Sequence, residues 1–206
     1  MFKNKFYKSL NYVTNITKTP KKVNEPVFWL FLDEHRIPDY EKMIRFLPKC
    51  HNNKLGVVFR NLDKRDLYKK YKLLARLCKL KKVPFLISDN PELAKILGAR
   101  GVHFSKKTKN AKKYSRLLYS CSFHGLSDVR RTKSLSVDLV FISPIFKTNS
   151  SLTKKPLGLL ISGLLSNYLN CKKANMGGLN LQNIRLLKSR RISCLGGLEY
   201  FYNLIK

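Results

Sequence analysis

Acidic residues are scarce in this chain of 206 residues, which has 12 Asp and Glu against 42 Lys and Arg and a formal charge of +30. Such a balance often predicts a phosphate-rich partner, because clustered cations displace counterions from nucleic acid or an anionic membrane surface. The basic residues are scattered rather than clustered, and the sequence has no RNA-recognition signature, zinc-finger spacing or Arg-Gly tract. We therefore expect a solvated, lysine-rich surface and do not expect nucleic acid as the main partner.

Paired cysteines and long apolar runs are also missing. The sequence has no CxxC pair, which excludes a zinc ribbon or a dithiol redox site, and its cysteines are predicted to be small core residues in a reducing compartment. These are Cys50, Cys78, Cys121, Cys171 and Cys194. No segment approaches the roughly 20 apolar residues that cross a bilayer, and the N-terminus lacks the apolar centre of a secretory signal. We interpret the protein as cytoplasmic, without a membrane partner.

The first 24 residues differ in composition from the rest, with six lysines and no acidic residue. They are interpreted as a flexible basic tail. Residues 25–206 are interpreted as one domain, because their length fits a single unit and the hydrophobic content of 44% is enough for a sizeable core.

Short, β-rich apolar runs recur along the chain and alternate with helical patterns. In residues 65–82, apolar side chains fall three or four positions apart with charges between them, which predicts an amphipathic helix. Continuous apolar runs are typical of parallel strands buried on both faces. Eight such units predict an α/β fold, a single-domain (β/α)₈ barrel, with a doubly wound open sheet as the alternative. The runs cover residues 27–33, 55–60, 84–88, 101–105, 118–124, 138–143, 172–178 and 191–197.

Several predicted helices have recognisable ends. One begins near Ser88 or Asp89 as capping residue, has Pro91 in its first turn and ends at Gly98. Two more are predicted to open after glycines, over residues 125–134 and 178–189.

In such barrels the functional residues lie at the carboxyl ends of the strands. Gly177-Gly178 and Gly196-Gly197 end the seventh and eighth predicted strands, where backbone amides and a helix N-terminus could bind phosphate. Tight turns are the alternative. The long loop after the sixth strand is interpreted either as a lid over an anionic substrate, or as a surface excursion. As a lid it would use Thr148 and Ser150 as donors, with Lys154 or Lys155 supplying charge.

Two charged residues at strand tips are further candidates. Arg60 follows four apolar residues and could bind phosphate bidentately from inside the barrel, or form a surface ion pair with Asp63 or Asp66. Asp89 could hold Mg²⁺, or cap the helix that follows it.

The two histidines of these strands lead to different expectations. His103 lies within a strand and is interpreted as a hydrogen-bonded core residue. His124 lies at the tip of the fifth strand, and the ordinary pKa of histidine suits proton transfer.

Four stretches in this order resemble the thiamine-phosphate synthase and thiazole tautomerase superfamily. They are LISDNPELAKILGARGVHFS (86–105), SCSFHGLSDVRR (120–131), DLVFISPIFKTNSS (138–151) and NMGGLNLQNIRLL (175–187). The resemblance covers most of residues 27–198, and the segments 94–103 and 143–148 are its most specific parts. It implies a (β/α)₈ barrel.

The resemblance also implies chemistry. The synthase joins aminopyrimidine methyl pyrophosphate to thiazole phosphate and releases pyrophosphate with Mg²⁺, whereas the tautomerase aromatises the thiazole phosphate by moving a proton. By resemblance, the thiazole phosphate would contact backbone groups and the hydroxyls of the loop after the sixth strand. Pyrophosphate would contact Ser122 and Arg60, and Mg²⁺ would contact Asp89. The implied thiazole-phosphate positions are Gly177, Gly178, Leu195, Gly196, Thr148 and Ser150.

The sequence departs from the synthase pattern at four places. The Asn-Asp pair of the synthase reads Ser88-Asp89 here. The pyrimidine-side motif keeps only Arg60, and the position of the loop lysine falls on Ser151. The stretch that supplies a second metal carboxylate reads Ser-Lys-Lys-Thr over residues 105–108, where Lys106 and Lys107 could neutralise pyrophosphate instead. Three interpretations stay open: a divergent synthase, a tautomerase that uses His124, and a non-catalytic protein that binds thiazole phosphate.

Overall fold

The structure is a computed structural model, and it describes residues 2–16, 26–37, 39–47, 54–60, 62, 65–148, 155–180, 182–187 and 193–197. Eight parallel strands follow one another around a closed barrel. They are β1 Phe28–Asp33, β2 Leu55–Arg60, β3 Phe85–Ser88, β4 Gly101–Phe104, β5 Leu118–Phe123, β6 Leu139–Ile142, β7 Lys172–Met176 and β8 Cys194–Gly197.

Helices lie between most of these strands. The α-helices are α1 Phe2–Ile16, α2 Tyr40–Phe46, α3 Leu67–Leu80, α4 Pro91–Ile96, α5 Val129–Leu135 and α6 Gly158–Ser166. Leu126–Asp128 and Ile184–Leu187 are short 3₁₀ helices. The helix predicted after Gly125 is present as the first of these 3₁₀ turns followed by α5.

Closure of the sheet confirms the barrel and rules out the open doubly wound alternative. β8 returns to β1 in parallel register, with Phe28 opposite Leu195 and Leu30 opposite Gly197. All eight predicted strands are present. Their continuous apolar runs match the observed burial, since every residue of β1, β4, β5, β6 and β8 is buried.

Aromatic side chains fill the barrel interior. The ring of Phe31 meets those of Phe141 and His103 edge to face, with centroids 4.8 and 5.3 Å apart. Gly196 borders this group, and a Cβ there would lie 2.9 Å from a ring carbon of Phe141. The interior is therefore a packed core rather than a channel. Trp29, Val58 and Leu86 belong to the same cluster.

The predicted amphipathic helix is α3, and it buries the expected stripe of Tyr71, Leu74, Leu77 and Cys78. The predicted cap of the next helix was wrong by one or two residues. Asn90 caps α4, with its side chain accepting a hydrogen bond from Leu93 N–H at 2.9 Å. Gly98 ends that helix at φ +63°, as predicted.

The N-terminal segment expected to be a flexible tail contains helix α1. Leu10 and Val13 of this helix are buried in the main hydrophobic cluster. The alternation of lysines with Phe, Tyr and Leu in this segment has helical spacing, and the lysine content hid it. Residues 17–25 lie outside the described residues.

Cysteine burial agrees with the prediction of core residues. Cys78, Cys121 and Cys194 are buried thiols and Cys171 is half-buried, while Cys50 lies outside the described residues. Burial raises the pKa of Cys171 to about 11. Among the described helices, none has both the length and the apolar character that crossing a membrane requires.

Candidate active site at the carboxyl end of the barrel

His124 directly follows β5, and its orientation is fixed by the end of β6. Its Nδ1 lies 2.7 Å from the backbone oxygen of Ser143 and 3.2 Å from the Ser143 hydroxyl. A carbonyl oxygen can only accept, so Nδ1 carries the proton of the neutral ring and Nε2 is the basic nitrogen. The half-buried imidazole therefore has the tautomer of a general base.

The start of the following helix holds the backbone of His124. The carboxylate of Asp128 accepts a hydrogen bond from His124 N–H at 2.8 Å, and its other oxygen lies 3.8 Å from Arg131 Nε. Arg131 in turn donates to the carbonyls of Ser105 at 3.2 Å and Ser122 at 2.6 Å. One buried acid and one arginine thus tie together the tips of β4 and β5.

Arg60 ends β2 directly beside Asp33, the last residue of β1. Because side chains alternate along a strand, these two share the inner side of the barrel with Val58 and Phe31. Burial lowers the pKa of Arg60, the Asp33 carboxylate opposes this change and Arg36 adds to it. Arg60 is therefore a barrel-interior cation, the first of the two alternatives that the sequence left open. Of the expected surface partners, Asp63 lies outside the described residues and Asp66 pairs with Lys69 at 3.1 Å.

His103 is the core histidine that the sequence predicted. It is 1% exposed, with Nδ1 3.0 Å from Ser120 Oγ and Nε2 3.2 Å from Ser122 Oγ. Burial lowers the pKa of His103 to about 3, and the positive charges of Arg60 and Arg131 add to this. The ring is therefore neutral near pH 7. Both arginines lie near the interior at this end of the barrel, and each has a carboxylate beside it, Asp33 for Arg60 and Asp128 for Arg131.

Ser122 belongs to the hydrogen-bond network of His103 inside the barrel. The Ser120 hydroxyl donates to Val102 O at 3.4 Å, so it accepts from Nδ1–H of His103, and Nε2 then accepts from the Ser122 hydroxyl. Ser122 is 6% exposed. Because Ser122 is buried and its Oγ lies 3.2 Å from Nε2 of His103, this arrangement does not support the expected direct contact with pyrophosphate.

Asp89 follows β3 in a left-handed conformation, at φ +55°. Its Oδ1 accepts hydrogen bonds from Ser105 N–H at 2.7 Å and from the Thr108 hydroxyl at 2.5 Å. The carboxylate therefore closes the loop of residues 105–108 rather than capping α4. The two lysines of that loop are exposed.

The glycines after β7 serve close packing. Gly177 and Gly178 have φ values of +94° and +69°, and a Cβ on Gly178 would collide with the backbone oxygen of Lys147. Phe146 N–H donates to Gly177 O at 3.1 Å, and the Asn183 side chain donates to Gly178 O at 2.7 Å. The predicted turn is present. Of the helix predicted over 178–189, the described residues show the 3₁₀ segment Ile184–Leu187, which is too short for a substantial dipole, while 181, 188 and 189 lie outside the described residues.

The phosphate contact expected from the amide of Leu195 is not supported. Leu195 N–H donates to Val27 O at 2.8 Å, and the residue is fully buried. Gly196 is also buried, and its missing side chain makes room for Phe141 and Phe31.

The loop after β6 is described at its two ends. Ile145 N–H donates to Met176 O at 3.0 Å, and Gly158 N–H donates to Ile145 O at 3.1 Å. Thr148 is half-buried and Lys155 is exposed. The predicted donors Ser150 and Lys154 lie outside the described residues. The described ends of this loop are therefore tied to the tip of β7.

The family model described as thiamine monophosphate synthase matches residues 43–196. The chain belongs to the thiamine monophosphate synthase family. It is similar to a putative thiamine-phosphate synthase 2 of Aquifex aeolicus, at 26% identity over 146 residues, which are 69% of this chain and 78% of that relative. A thiamine-phosphate synthase of Prochlorococcus marinus strain SARG is 30% identical over 122 residues, 57% of this chain. The chain spans 34% to 40% of the length of three Prochlorococcus marinus relatives.

Solved structures share the fold of this family member. A thiamine phosphate pyrophosphorylase from Pyrococcus furiosus superposes with a TM-score of 0.65 at 16% identity, covering 85% of this chain and 87% of that one. A thiamine phosphate pyrophosphorylase from Bacteroides thetaiotaomicron gives a TM-score of 0.53 at 17% identity, covering 86% and 85%. At these identities the likeness concerns the barrel architecture.

The described donor set offers one carboxylate, Asp89, where the family resemblance implies a Mg²⁺ site with two. Magnesium sites are built from carboxylates and phosphates. Here one oxygen of Asp89 already accepts two hydrogen bonds, Thr108 supplies only a hydroxyl, and Lys106 and Lys107 lie between them in sequence. The described residues contain no cluster of three His, Cys, Asp or Glu side chains that could hold a metal ion.

Sequence reasoning assigned no individual role to four residues of this site in the family member, although Asp33 and Ser143 lie at predicted strand tips: Asp33, Asp128, Arg131 and Ser143. The SCSFHGLSDVRR stretch carried a usable signal for two of them. Asp128 and Arg131 lie three positions apart, four and seven residues after His124, which places an acid and a base on the first turns after a strand tip. The roles of Asp33 and Ser143 become visible only from their contacts with Arg60 and His124 on neighbouring strands.

Proposed function

We propose that this family member acts on phosphorylated thiamine precursors at the carboxyl end of its barrel, and that its reaction is that of a thiamine-phosphate synthase. In that reaction a nitrogen of thiazole phosphate forms a bond to the methylene carbon of aminopyrimidine methyl pyrophosphate. The bond from that carbon to the pyrophosphate oxygen breaks, and pyrophosphate leaves with the electron pair. The proposal rests on the match over residues 43–196 and on the names of the relatives.

The position of Arg60 on the inner side of the barrel is the observation that supports the synthase proposal most directly. A guanidinium on the inner side of the barrel is well placed to neutralise the charge that develops on a departing pyrophosphate. Arg131 contributes to the same positive field, since both arginines act on His103. Lys106 and Lys107 are exposed on the loop that Asp89 closes. Their positive charges would neutralise pyrophosphate, in place of the charge that a metal held by a second carboxylate would supply.

His124 favours a second candidate reaction, the tautomerisation of a thiazole phosphate. The Ser143 carbonyl fixes the proton of His124 on Nδ1, so Nε2 is the nitrogen that can remove a proton from a ring carbon and return it elsewhere. This chemistry needs neither pyrophosphate contacts nor a second carboxylate. A third outcome is a protein that binds thiazole phosphate without turnover.

The deciding experiment measures two reactions of the purified full chain. The first is pyrophosphate release from aminopyrimidine methyl pyrophosphate and thiazole phosphate with Mg²⁺, and the second is conversion of the non-aromatic thiazole phosphate to its aromatic tautomer. Arg60→Ala and His124→Ala are tested in both assays. Arg45→Ala, an exposed arginine on α2, is the matched control for loss of one positive charge.

We expect pyrophosphate release that is lost in Arg60→Ala, retained in Arg45→Ala and largely retained in His124→Ala. Tautomerisation that depends on His124, without pyrophosphate release, would replace the synthase by the tautomerase. Thiazole phosphate binding without either reaction would reject both enzymes.

A further inference from the structure

A concavity of about 1030 Å³ opens at the amino end of the barrel, opposite the candidate active site. Its walls are the starts of five consecutive strands. The residues that mark them are Arg100 before β4, Leu118 in β5, Asp138 before β6, Lys172 in β7 and Ser193 before β8. Nothing in the family chemistry proposed above uses this end of the barrel.

Positive charge dominates the lining. Arg100, Arg116, Lys172 and Lys173 line the concavity, and Arg100 and Arg116 are exposed. Among the lining residues that the structure describes, Asp138 is the one carboxylate, and it accepts the N–H of Tyr119 at 2.7 Å. A concavity with four cations around one engaged acid attracts an anion.

Both arginines are held by the backbone at the barrel rim. Arg100 N–H donates to Phe85 O at 2.9 Å, and Arg100 O accepts from Leu118 N–H at 3.0 Å. Arg116 has φ +69°, a left-handed conformation that glycine adopts at least cost.

The size and chemistry of the concavity restrict the ligand. Its volume is close to the upper end of small-molecule sites, which is about 1,000 Å³. Leu117, Leu118 and Val137 add an apolar part, and the lining residues that the structure describes include no row of aromatic side chains on which successive nucleic-acid bases could stack. These features favour one small organic anion over a single-stranded nucleic acid.

We propose that this concavity binds a small organic molecule with several phosphates, of the size of a nucleoside triphosphate, through the guanidinium groups of Arg100 and Arg116. Guanidinium groups bind phosphate oxygens in bidentate fashion, and two of them on one rim can bind neighbouring phosphates. Because aromatic side chains fill the barrel interior, this ligand is separate from any bound at the carboxyl end.

The test is binding of ATP to the full chain, measured by titration calorimetry at physiological salt. The double variant Arg100→Gln and Arg116→Gln is compared with Lys42→Gln and Arg45→Gln, which removes the same charge from positions on α2. We expect saturable binding that weakens at least about tenfold in the first variant, since charge-assisted hydrogen bonds contribute that much or more. The α2 variant should bind as the unaltered chain does.

Three results would overturn the proposal. They are absence of saturable ATP binding, equal weakening in the two double variants, and loss of ATP binding in Arg60→Ala, which would place the ligand at the carboxyl end. A short single-stranded RNA is titrated in parallel. If the RNA binds more tightly than ATP and depends on Arg100 and Arg116, the site is a nucleic-acid site and the proposal is wrong.

Discussion

The Thr108 hydroxyl donates a hydrogen bond to the Asp89 carboxylate at 2.5 Å, across the tips of β3 and β4. By resemblance, the segment with Thr108 is the one that supplies a second metal carboxylate in the synthase. In this chain a hydroxyl occupies that segment and binds the first carboxylate directly. The loop is closed by hydrogen bonds where a divalent cation would otherwise join two acids.

Replacing this hydroxyl by a carboxylate should create a cation site. We expect Thr108→Asp to bind Mn²⁺ at least about tenfold more tightly than the unaltered chain, because a second carboxylate supplies the charge that hard cations require. Mn²⁺ binding is followed by electron paramagnetic resonance of the free ion. Thr108→Asn, similar in shape but uncharged, is the control. Tight Mn²⁺ binding by the unaltered chain would contradict the need for a second carboxylate.

Substitution of His124 separates its chemistry from its structural role. Asn at this position can still donate to Ser143 O but has no basic nitrogen. If the chain has the second candidate activity, thiazole tautomerisation, we expect His124→Asn to reduce it by about 10²- to 10⁴-fold, the usual contribution of a general base, with little change in the free energy of unfolding. Tautomerisation kinetics and urea unfolding check the two parts. Full activity in His124→Asn would remove His124 from the chemistry.

Asp128 is expected to position His124 through its backbone. Asp128→Ala removes the acceptor of His124 N–H and the anion beside Arg131, and should lower the free energy of unfolding by about 1–3 kcal/mol. Asp128→Asn keeps one acceptor and should recover part of that loss. Urea unfolding of both variants gives the answer, with kcat and KM measured in parallel. If the two variants were equally stable, the hydrogen bond to His124 would contribute nothing.

The buried neutral ring of His103 makes stability depend on pH. Its pKa is about 3 in the folded chain and about 6.5 when unfolded, so between these values the unfolded state binds the additional proton. Stability should therefore fall as pH drops from about 6.5 toward 3, by at most about 1.4 kcal/mol per pH unit from this group. His103→Gln, which does not titrate, should flatten the slope. An unchanged slope in urea unfolding from pH 7 to 4 would contradict this assignment.

Gly178 is expected to tolerate no side chain. Its φ is +69° and a Cβ would collide with Lys147 O, so Gly178→Ala should lower the free energy of unfolding by roughly 1–3 kcal/mol or more. Gly163→Ala is the matched control, because nothing lies within 4 Å of its Cβ position on α6 and alanine favours helix by up to about 1 kcal/mol. The two variants should therefore change the thermal midpoint in opposite directions.

The strands could be predicted because their signal is local. Each buried strand is a continuous apolar run, and eight runs with helical segments between most of them predict a closed barrel, which β8 completes by pairing with Phe28 and Leu30 of β1. Helix α1 could not be recognised, because its lysines suggested a tail. Its buried Leu10 and Val13 find their partners in distant parts of the chain.

The candidate site could be predicted only at positions where the sequence of a single strand tip is sufficient to identify the residue. Arg60 and His124 were found because each follows an apolar run. The roles of Ser122 and Asp89 depend on residues from neighbouring strands, His103 for the first and Thr108 for the second, and no pattern within one segment reveals such a partner. The same holds for Leu195, whose amide is engaged by Val27 across the closing seam.

The aromatic filling of the barrel divides the protein into two chemically independent ends. Phe31, His103 and Phe141 pack edge to face across the interior, so a ligand bound at one end lies on the opposite side of these rings from the other end. Ligand binding at one end can affect the other end through small displacements of strands that both ends share, such as β4 and β5. Substitutions at one rim can therefore accumulate without disturbing recognition at the other.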